Sequence, residues 1–108
     1  MNNLSSKHCV PCEGGVRPFD QKTALIYLRR VRGWRLVGGK SIEKEFTFSD
    51  FSGAIGFVNR VAPLAEKEGH HPDILLYDYK RVRLTISTHA IGGLSENDFI
   101  LAAKIDNL

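Results

Sequence analysis

The most constraining feature of the sequence is a run from residue 51 to residue 65 whose apolar side chains recur every three or four positions. This spacing places them on one face of a helix, and that face must be buried against another element. Ser49 and Asp50 are candidate N-caps, and Gly69 follows where a helix C-terminus often takes a left-handed residue. Pro63 removes one backbone hydrogen bond, so we expect a kink there. The expected core face consists of Phe51, Ala54, Ile55, Val58, Val61, Ala62 and Ala65.

A pair of predicted strands lies on each side of this helix. Residues 34–37 and 42–48 flank the glycine-rich turn GGKS, and residues 74–77 and 80–88 form the second pair. Apolar and polar side chains alternate through the longer strands, except that Lys44 interrupts the apolar face of its strand. The lysine indicates an edge strand or a partly exposed face.

Two further helices complete the expected order of elements. Asp20 can cap a helix that runs to about Arg32, and Ser95 with Asp98 forms a capping box for a helix that runs to about Ile105. The order is therefore α-β-β-α-β-β-α. Hairpins joined through a long helix predict an α+β domain, with a four-stranded antiparallel sheet and helices packed on one face. The other face of the sheet is then open, and a sheet edge is free to pair with a second copy.

The length and charge are consistent with one ordinary globular domain. At 108 residues and a net charge of +3, we expect an extended N-terminal arm over residues 1–18 and a single domain over residues 19–108. No apolar run approaches the length of a membrane span, and the first residues lack the apolar segment of a signal peptide. We therefore expect a soluble cytoplasmic protein that binds neither membranes nor, given its interspersed acidic residues, nucleic acid directly.

The arm contains three soft metal ligands, His8, Cys9 and Cys12. A zinc ion or a redox switch is therefore one hypothesis for this segment. A structural zinc needs a fourth ligand, and a thioredoxin-type site should open a helix, whereas a Gly-Gly pair and a proline follow here. An ordinary reduced segment is the favoured interpretation.

Three of the four histidines lie between the long helix and the last one. His70 and His71 follow the predicted helix end, whose dipole favours a protonated imidazole, and Glu66 would add to this effect if it reaches His70. His71 precedes Pro72 and is biased toward extended backbone, so the two rings should point to opposite sides. Together with His89, they suit general acid–base catalysis near neutral pH. A metal site and histidines bonded only to backbone are the alternatives.

These residues carry a pattern that resembles the pterin-4a-carbinolamine dehydratase family in its bacterial form. The matching segments are HHPD, YKRV, LTISTH and GGLSENDFILAAKID, with DFSGAIGFVNRVAPLAEKEG and CVPCEGG upstream, so the resemblance runs from Cys9 to Leu108. It implies loss of water from 4a-hydroxytetrahydropterin to give quinonoid dihydropterin, without a metal or organic cofactor. It also implies the four-stranded antiparallel sheet, a homodimer or homotetramer, and a functional link to an aromatic amino-acid hydroxylase.

The resemblance also implies roles for individual residues. His70 and His89 would be the acid–base pair, and His71 a substrate contact and electrostatic partner. Glu66 and Asp98 would orient or tune the histidines. The implied substrate contacts, several of them through backbone at the pterin's amide and guanidine-like edge, are Gly69, His70, His71, Ser87, Thr88, His89 and Ala90.

A non-catalytic function is the main alternative. Some members of the family act as dimerisation partners of a transcription factor, and others assist the assembly of unrelated proteins. Such a role would use helix faces and the sheet edge and would need no histidine chemistry. A partner role should therefore survive loss of the His89 imidazole, whereas a catalytic role should not.

Overall fold

The computed structural model describes residues 4–10 and 17–108, and its sheet confirms the predicted α+β architecture. The alternating segments form four strands, β1 (Arg35–Val37), β2 (Ser41–Thr47), β3 (Asp73–Tyr77) and β4 (Arg81–Ile86). All neighbouring strands are antiparallel, in the order β1-β2-β4-β3. The second hairpin therefore joins the first through β4, and the two long strands β2 and β4 form the centre of the sheet.

The long amphipathic run forms α2 (Phe51–Glu68), with both of its predicted ends confirmed. The Asp50 side chain accepts a hydrogen bond from Gly53 N at 2.7 Å. Gly69 adopts the left-handed conformation with φ 64°, which a residue without Cβ adopts without strain. The helix ends at this residue, and His70 and His71 lie in the short connection between α2 and β3.

Part of the predicted core face of α2 is wrong. Phe51 and Ile55 are exposed, by 53% and 38%, and Ala62 is exposed as well, whereas Phe57 is buried. The helix contacts the sheet along a narrower stripe, and a side chain one position past Ala54 is rotated by about 100° onto the flank. The buried stripe consists of Ala54, Phe57, Val61, Ala65 and Glu68.

Lys44 does not mark an edge strand, because β2 is central and pairs with both β1 and β4. The lysine lies directly opposite the fully buried Leu84 on the face covered by helices. Its ammonium group reaches Asp106 Oδ1 at 2.8 Å and the carbonyl oxygen of Arg32 at 2.7 Å. The charge is therefore tolerated at the rim of the core by a carboxylate, and not by exposure at a sheet edge.

The first and last helices also begin at their predicted caps. The helix α1 (Gln21–Leu28) begins after Asp20, which accepts from Thr23 N at 2.8 Å, but it ends four residues before the predicted Arg32. Tighter turns replace the α-helical pattern there, since Arg30 N donates to Tyr27 O at 2.9 Å. The helix α3 spans Glu96–Asp106.

The sequence predicts an extended arm over residues 1–18, but part of this segment is helical. Leu4–Ser6 form a short 3-10 helix, and Leu4 is buried in the core beside α3. No helix in the described part of the chain has both the length and the apolar character needed to cross a bilayer.

We expect Asp106→Ala to lower the free energy of unfolding by about 2–4 kcal/mol, because it removes the acceptor of buried donors. Trp34 Nε1 donates to this carboxylate at 3.1 Å, and Lys44 is its ion-pair partner. Lys7→Ala is the matched control, since it removes an ion pair to Glu96 that is largely exposed, and it should cost less than about 1 kcal/mol. Urea unfolding of both variants measures the difference, and equal losses would contradict the structural role of Asp106.

Candidate active site

The three histidines of the sequence pattern line one cleft of about 240 Å³, formed where α2 and β4 end. The left-handed turn at Gly69 delivers His70 and His71 to it, and the chain leaving β4 delivers His89. All seven implied substrate contacts line this cleft, namely Gly69, His70, His71, Ser87, Thr88, His89 and Ala90. Residues far apart in sequence are thereby brought together into one site that holds three imidazole rings.

A second and larger cleft of about 480 Å³ lies between the end of α1 and the end of α3. Its basic lining comes from Arg29, Arg30 and Arg32, with Asp106 and Asn107 opposite. The arginine side chains stay protonated and cannot exchange protons with a substrate, and the Asp106 carboxylate is already bound by Trp34 and Lys44. We therefore place the candidate active site in the smaller cleft with the histidines.

His70 is held by a buried carboxylate. Its Nε2 donates to Asp98 Oδ1 at 2.6 Å, and Asp98 is fully buried. The other carboxylate oxygen accepts from Thr88 Oγ1 at 2.9 Å and from Ser95 N at 2.8 Å, the latter being half of the predicted capping box. Since Nε2 is occupied, the free nitrogen of the His70 ring is Nδ1.

Glu66 contacts His71 and does not reach His70. Glu66 Oε1 lies 3.0 Å from His71 Nε2, and both side chains are largely exposed, whereas His70 is bound to Asp98 instead. The backbone before Pro72 directs successive side chains apart, so the two adjacent rings have different partners and different exposure, as expected. Glu66 and Asp98 thus support different histidines.

His89 lies beyond the strand that was predicted to deliver it. β4 ends at Ile86, and His89 begins a short 3-10 helix, His89–Ile91. A bridge from Thr88 to Gly93 closes this loop, with Thr88 N donating to Gly93 O at 2.8 Å. Thr88 is buried, so it fixes the loop to the protein interior, whereas His89 is exposed and lines the cleft.

Two residues of the cleft, Val10 and Asn97, were not predicted. Val10 N donates to Asn97 Oδ1 at 3.0 Å, and Asn97 Nδ2 donates to Val10 O at 2.7 Å. No local pattern signals a contact between residues 87 positions apart. The only sequence signal is that Asn97 directly precedes the capping-box residue Asp98, which places both in the first turn of α3.

The thiol of the cysteine that the structure describes, Cys9, is held in its protonated form. Cys9 is half-buried, and burial, together with the nearby carboxylates of Glu68 and Asp98, raises its pKa to about 12. Its backbone N–H donates to Glu68 Oε1 at 2.8 Å, and His8 Nδ1 lies 3.1 Å from the other oxygen of the same carboxylate. Cys12 lies outside the described residues. Among residues 4–10 and 17–108, no three histidine, cysteine or acidic side chains are arranged to hold a metal ion.

We expect Cys9 to be alkylated slowly by iodoacetamide. With its pKa raised from 9.0 to about 12, the thiolate fraction at pH 8 falls roughly a thousand-fold. The alkylation rate of Cys9 should keep rising with pH from 8 to 11. The rate of an ordinary thiol levels off within this range, once the pH exceeds the thiol's own pKa. The measurement uses Cys12→Ser, so that only one thiol reacts, and urea-unfolded protein is the control. A rate equal to that of the unfolded chain at pH 8 would contradict the buried environment.

Comparison with known proteins identifies a family over most of the chain. Residues 17–108 match the family described as Pterin 4 alpha carbinolamine dehydratase. A Halorhodospira halophila protein, provisionally named a pterin-4-alpha-carbinolamine dehydratase, is 53% identical over 108 residues, 98% of this chain and 97% of that protein. The Arabidopsis thaliana protein named Pterin-4-alpha-carbinolamine dehydratase 2, mitochondrial, is 44% identical over 112 residues, 100% of this chain and 60% of that protein. The similarity therefore extends across bacteria and plants.

Two solved structures share the fold. One is described as a transcriptional coactivator/pterin dehydratase from Brucella melitensis, with a TM-score of 0.77 and 36% identity over 84% of this chain and 97% of that one. The other is described as a pterin dehydratase-like protein that is a RuBisCO assembly factor in the alpha-carboxysome. It has a TM-score of 0.60 and 26% identity over 70% of this chain and 88% of that one. The same fold thus carries both enzymatic and assembly descriptions.

Proposed function

The chain belongs to the pterin 4 alpha carbinolamine dehydratase family, and on this premise we propose that it removes water from a 4a-hydroxytetrahydropterin in the cytoplasm. The product is a quinonoid dihydropterin, and the hydroxylated substrate is what an aromatic amino-acid hydroxylase leaves behind. The observation that carries the proposal is the convergence of His70, His71 and His89 on one cleft, with the buried Asp98 bound to His70.

The chemistry of the elimination calls for two proton-transfer groups. The C4a–O bond breaks as a proton is delivered to the leaving hydroxyl, and N5 loses its proton as its electron pair forms the C4a=N5 double bond. Hydroxide is a poor leaving group near neutral pH, so an imidazolium assists its departure while a neutral imidazole accepts the N5 proton. We assign these two roles to His70 and His89, which act from different elements of the cleft.

The remaining cleft residues bind and orient the substrate in this proposal. The backbone from Ser87 to Ala90 faces the pterin's amide and guanidine-like edge, for which peptide N–H and C=O groups are matched donors and acceptors. His71 is a substrate contact whose ring is held by Glu66. Asp98 orients the His70 ring and stabilises positive charge on it. The mechanism needs no metal or organic cofactor.

We expect His70→Ala and His89→Ala each to lower the catalysed rate by about a hundred-fold or more, because each removes one acid–base group. The measurement follows the decay of freshly generated 4a-hydroxytetrahydropterin by ultraviolet absorbance against a protein-free reaction. The matched control is Arg81→Ala, which removes an exposed ion pair to Asp78 outside the cleft lining, and which should keep activity close to wild type. A wild-type rate equal to the protein-free rate would contradict the proposed function.

The two supporting carboxylates should differ in their effect on catalysis. We expect Asp98→Asn to lower kcat about ten- to a hundred-fold, since a hydrogen bond to a charged group contributes about 1.5–3 kcal/mol when buried. Glu66→Gln should lower it less than about fivefold, because the exposed pair with His71 is screened by water. Circular dichroism checks that both variants fold. Equal effects of the two substitutions would contradict the assigned role of Asp98.

We also propose that the chain forms a homodimer or a homotetramer. Two exposed apolar surfaces support this association. Ile74 and Leu75 are exposed on β3, an edge strand whose outer backbone groups have no neighbouring strand in the sheet that the structure describes. Phe51 and Ile55 are exposed on α2. Strand pairing and helix packing are the two ways in which such surfaces are covered.

A binding role is the second candidate function. It is favoured by the exposed apolar side chains of α2 and by the assembly and coactivator descriptions of the two structural neighbours. Such a role depends on the helix surface and is independent of the cleft. The His89→Ala variant separates the two functions, since it removes dehydration and leaves the surface of α2 unchanged.

A further inference from the structure

We propose that Asn97 is a positioning residue that fixes the N-terminal arm against the cleft, so that Val10 forms one wall of the substrate site and sets the affinity for the pterin. This inference rests on the proposed function and extends it to a segment that the histidine chemistry does not involve. The arm then takes part in substrate binding, and the first turn of α3, which contains Asn97, holds the arm in place.

The contact between Asn97 and Val10 has the form of a clamp. The carboxamide of Asn97 accepts from Val10 N at 3.0 Å and donates to Val10 O at 2.7 Å, so it satisfies both backbone groups of one residue. Asn97 is 6% exposed. A buried carboxamide left without partners would be costly, so the clamp is stable only with the arm in place. The position of Val10 is therefore determined by this side chain.

A second anchor holds the neighbouring arm residues. Glu68, buried at the end of α2, accepts from Cys9 N at 2.8 Å and from His8 Nδ1 at 3.1 Å. Burial opposes its ionisation, but the bonds from Cys9 and His8 and the ammonium of Lys104 outweigh burial and lower its pKa. The anchor is thus a carboxylate at neutral pH. Lys104 also donates to Ser5 O at 3.0 Å, which fixes the arm further toward its start.

Both anchors belong to the elements that build the active site. Glu68 directly precedes Gly69 and His70, and Asn97 directly precedes Asp98, the partner of His70. The arm is therefore fixed to the same two helix ends that position the catalytic imidazole. Movement of the arm relative to His70 would break hydrogen bonds at both ends, so Val10 and His70 keep a constant spacing across the cleft.

Val10 is 66% exposed although its side chain is apolar, and it lines the cleft with the histidines. Asn97 binds the backbone of Val10 and Glu68 that of Cys9, so the backbone that carries this side chain is fixed at the cleft. A flat bicyclic ring in the cleft would cover its methyl groups, and that burial favours binding. Because Val10 has no acid or base group, it contributes to binding and not to proton transfer.

The first test is the kinetic effect of Asn97→Ala, Val10→Gly and the double variant, with Arg81→Ala as the matched control. Arg81 pairs with Asp78 on the surface, belongs to neither the arm nor α3, and does not line the cleft. Each single variant should raise KM about tenfold and change kcat less than about twofold. The double variant should resemble either single one, because Asn97 acts through Val10. Arg81→Ala should leave both constants unchanged.

Two outcomes of the kinetic test would overturn the inference. If Asn97→Ala lowers kcat and leaves KM unchanged, Asn97 acts through its neighbour Asp98 and not through the arm. If Val10→Gly leaves KM unchanged, Val10 is not a wall of the site. The second variant alters an exposed side chain and should fold normally, so its result stands even if Asn97→Ala is unstable.

The second test is independent of turnover and uses an oxidised, unreactive pterin. In the wild-type chain, binding of this pterin should slow hydrogen exchange of the Cys9 and Val10 amides about tenfold. In Asn97→Ala, with the same fraction of sites occupied, binding should leave the exchange rate of these amides unchanged. If these amides respond while the wild-type chain does not accelerate dehydration, the arm inference stands and the dehydratase proposal fails. If dehydration is normal and the amides do not respond, the arm inference fails alone.

Discussion

The candidate site depends on one buried carboxylate, that of Asp98. A fully buried charge is costly unless hydrogen bonds replace the water it loses. Here three donors do so from three parts of the chain: the His70 ring after α2, the Thr88 hydroxyl after β4, and the backbone of Ser95 before α3. The carboxylate therefore joins the ends of three elements at one point. The position of His70 in the cleft follows from this arrangement, because removing any of the three partners would leave a charge incompletely solvated.

The sequence predicts well those features that are determined locally. The caps at Asp20 and Asp50 and the left-handed Gly69 were identified because capping depends on residues within one turn of the helix end. The alternation of β4 was identified because a half-buried strand repeats every second residue, and its even-numbered side chains are indeed buried. The convergence of the histidines was expected from the family resemblance, since no periodicity relates His70 to His89.

Features that depend on long-range packing were missed. Lys44 was interpreted as the sign of an edge strand or a partly exposed face, and the edge strand is wrong because the sheet order makes β2 central. The ion-pair partner of the lysine, Asp106, lies 62 positions away, so no local pattern indicates it. Proximity in sequence left open whether Glu66 reaches His70, and the buried Asp98, 28 positions from His70, takes that place. In both cases the partner of the side chain is a carboxylate that is distant in sequence.

The electrostatics of the arm limit the chemistry that the cleft can support. The carboxylates of Glu68 and Asp98, which anchor the arm and orient His70, also raise the pKa of Cys9 by disfavouring a second negative charge beside them. The carboxylates that hold the arm and the His70 ring therefore suppress the Cys9 thiolate. A nucleophilic thiolate beside the cleft would need positive charge or hydrogen-bond donors around its sulfur, and this part of the structure places carboxylates there instead.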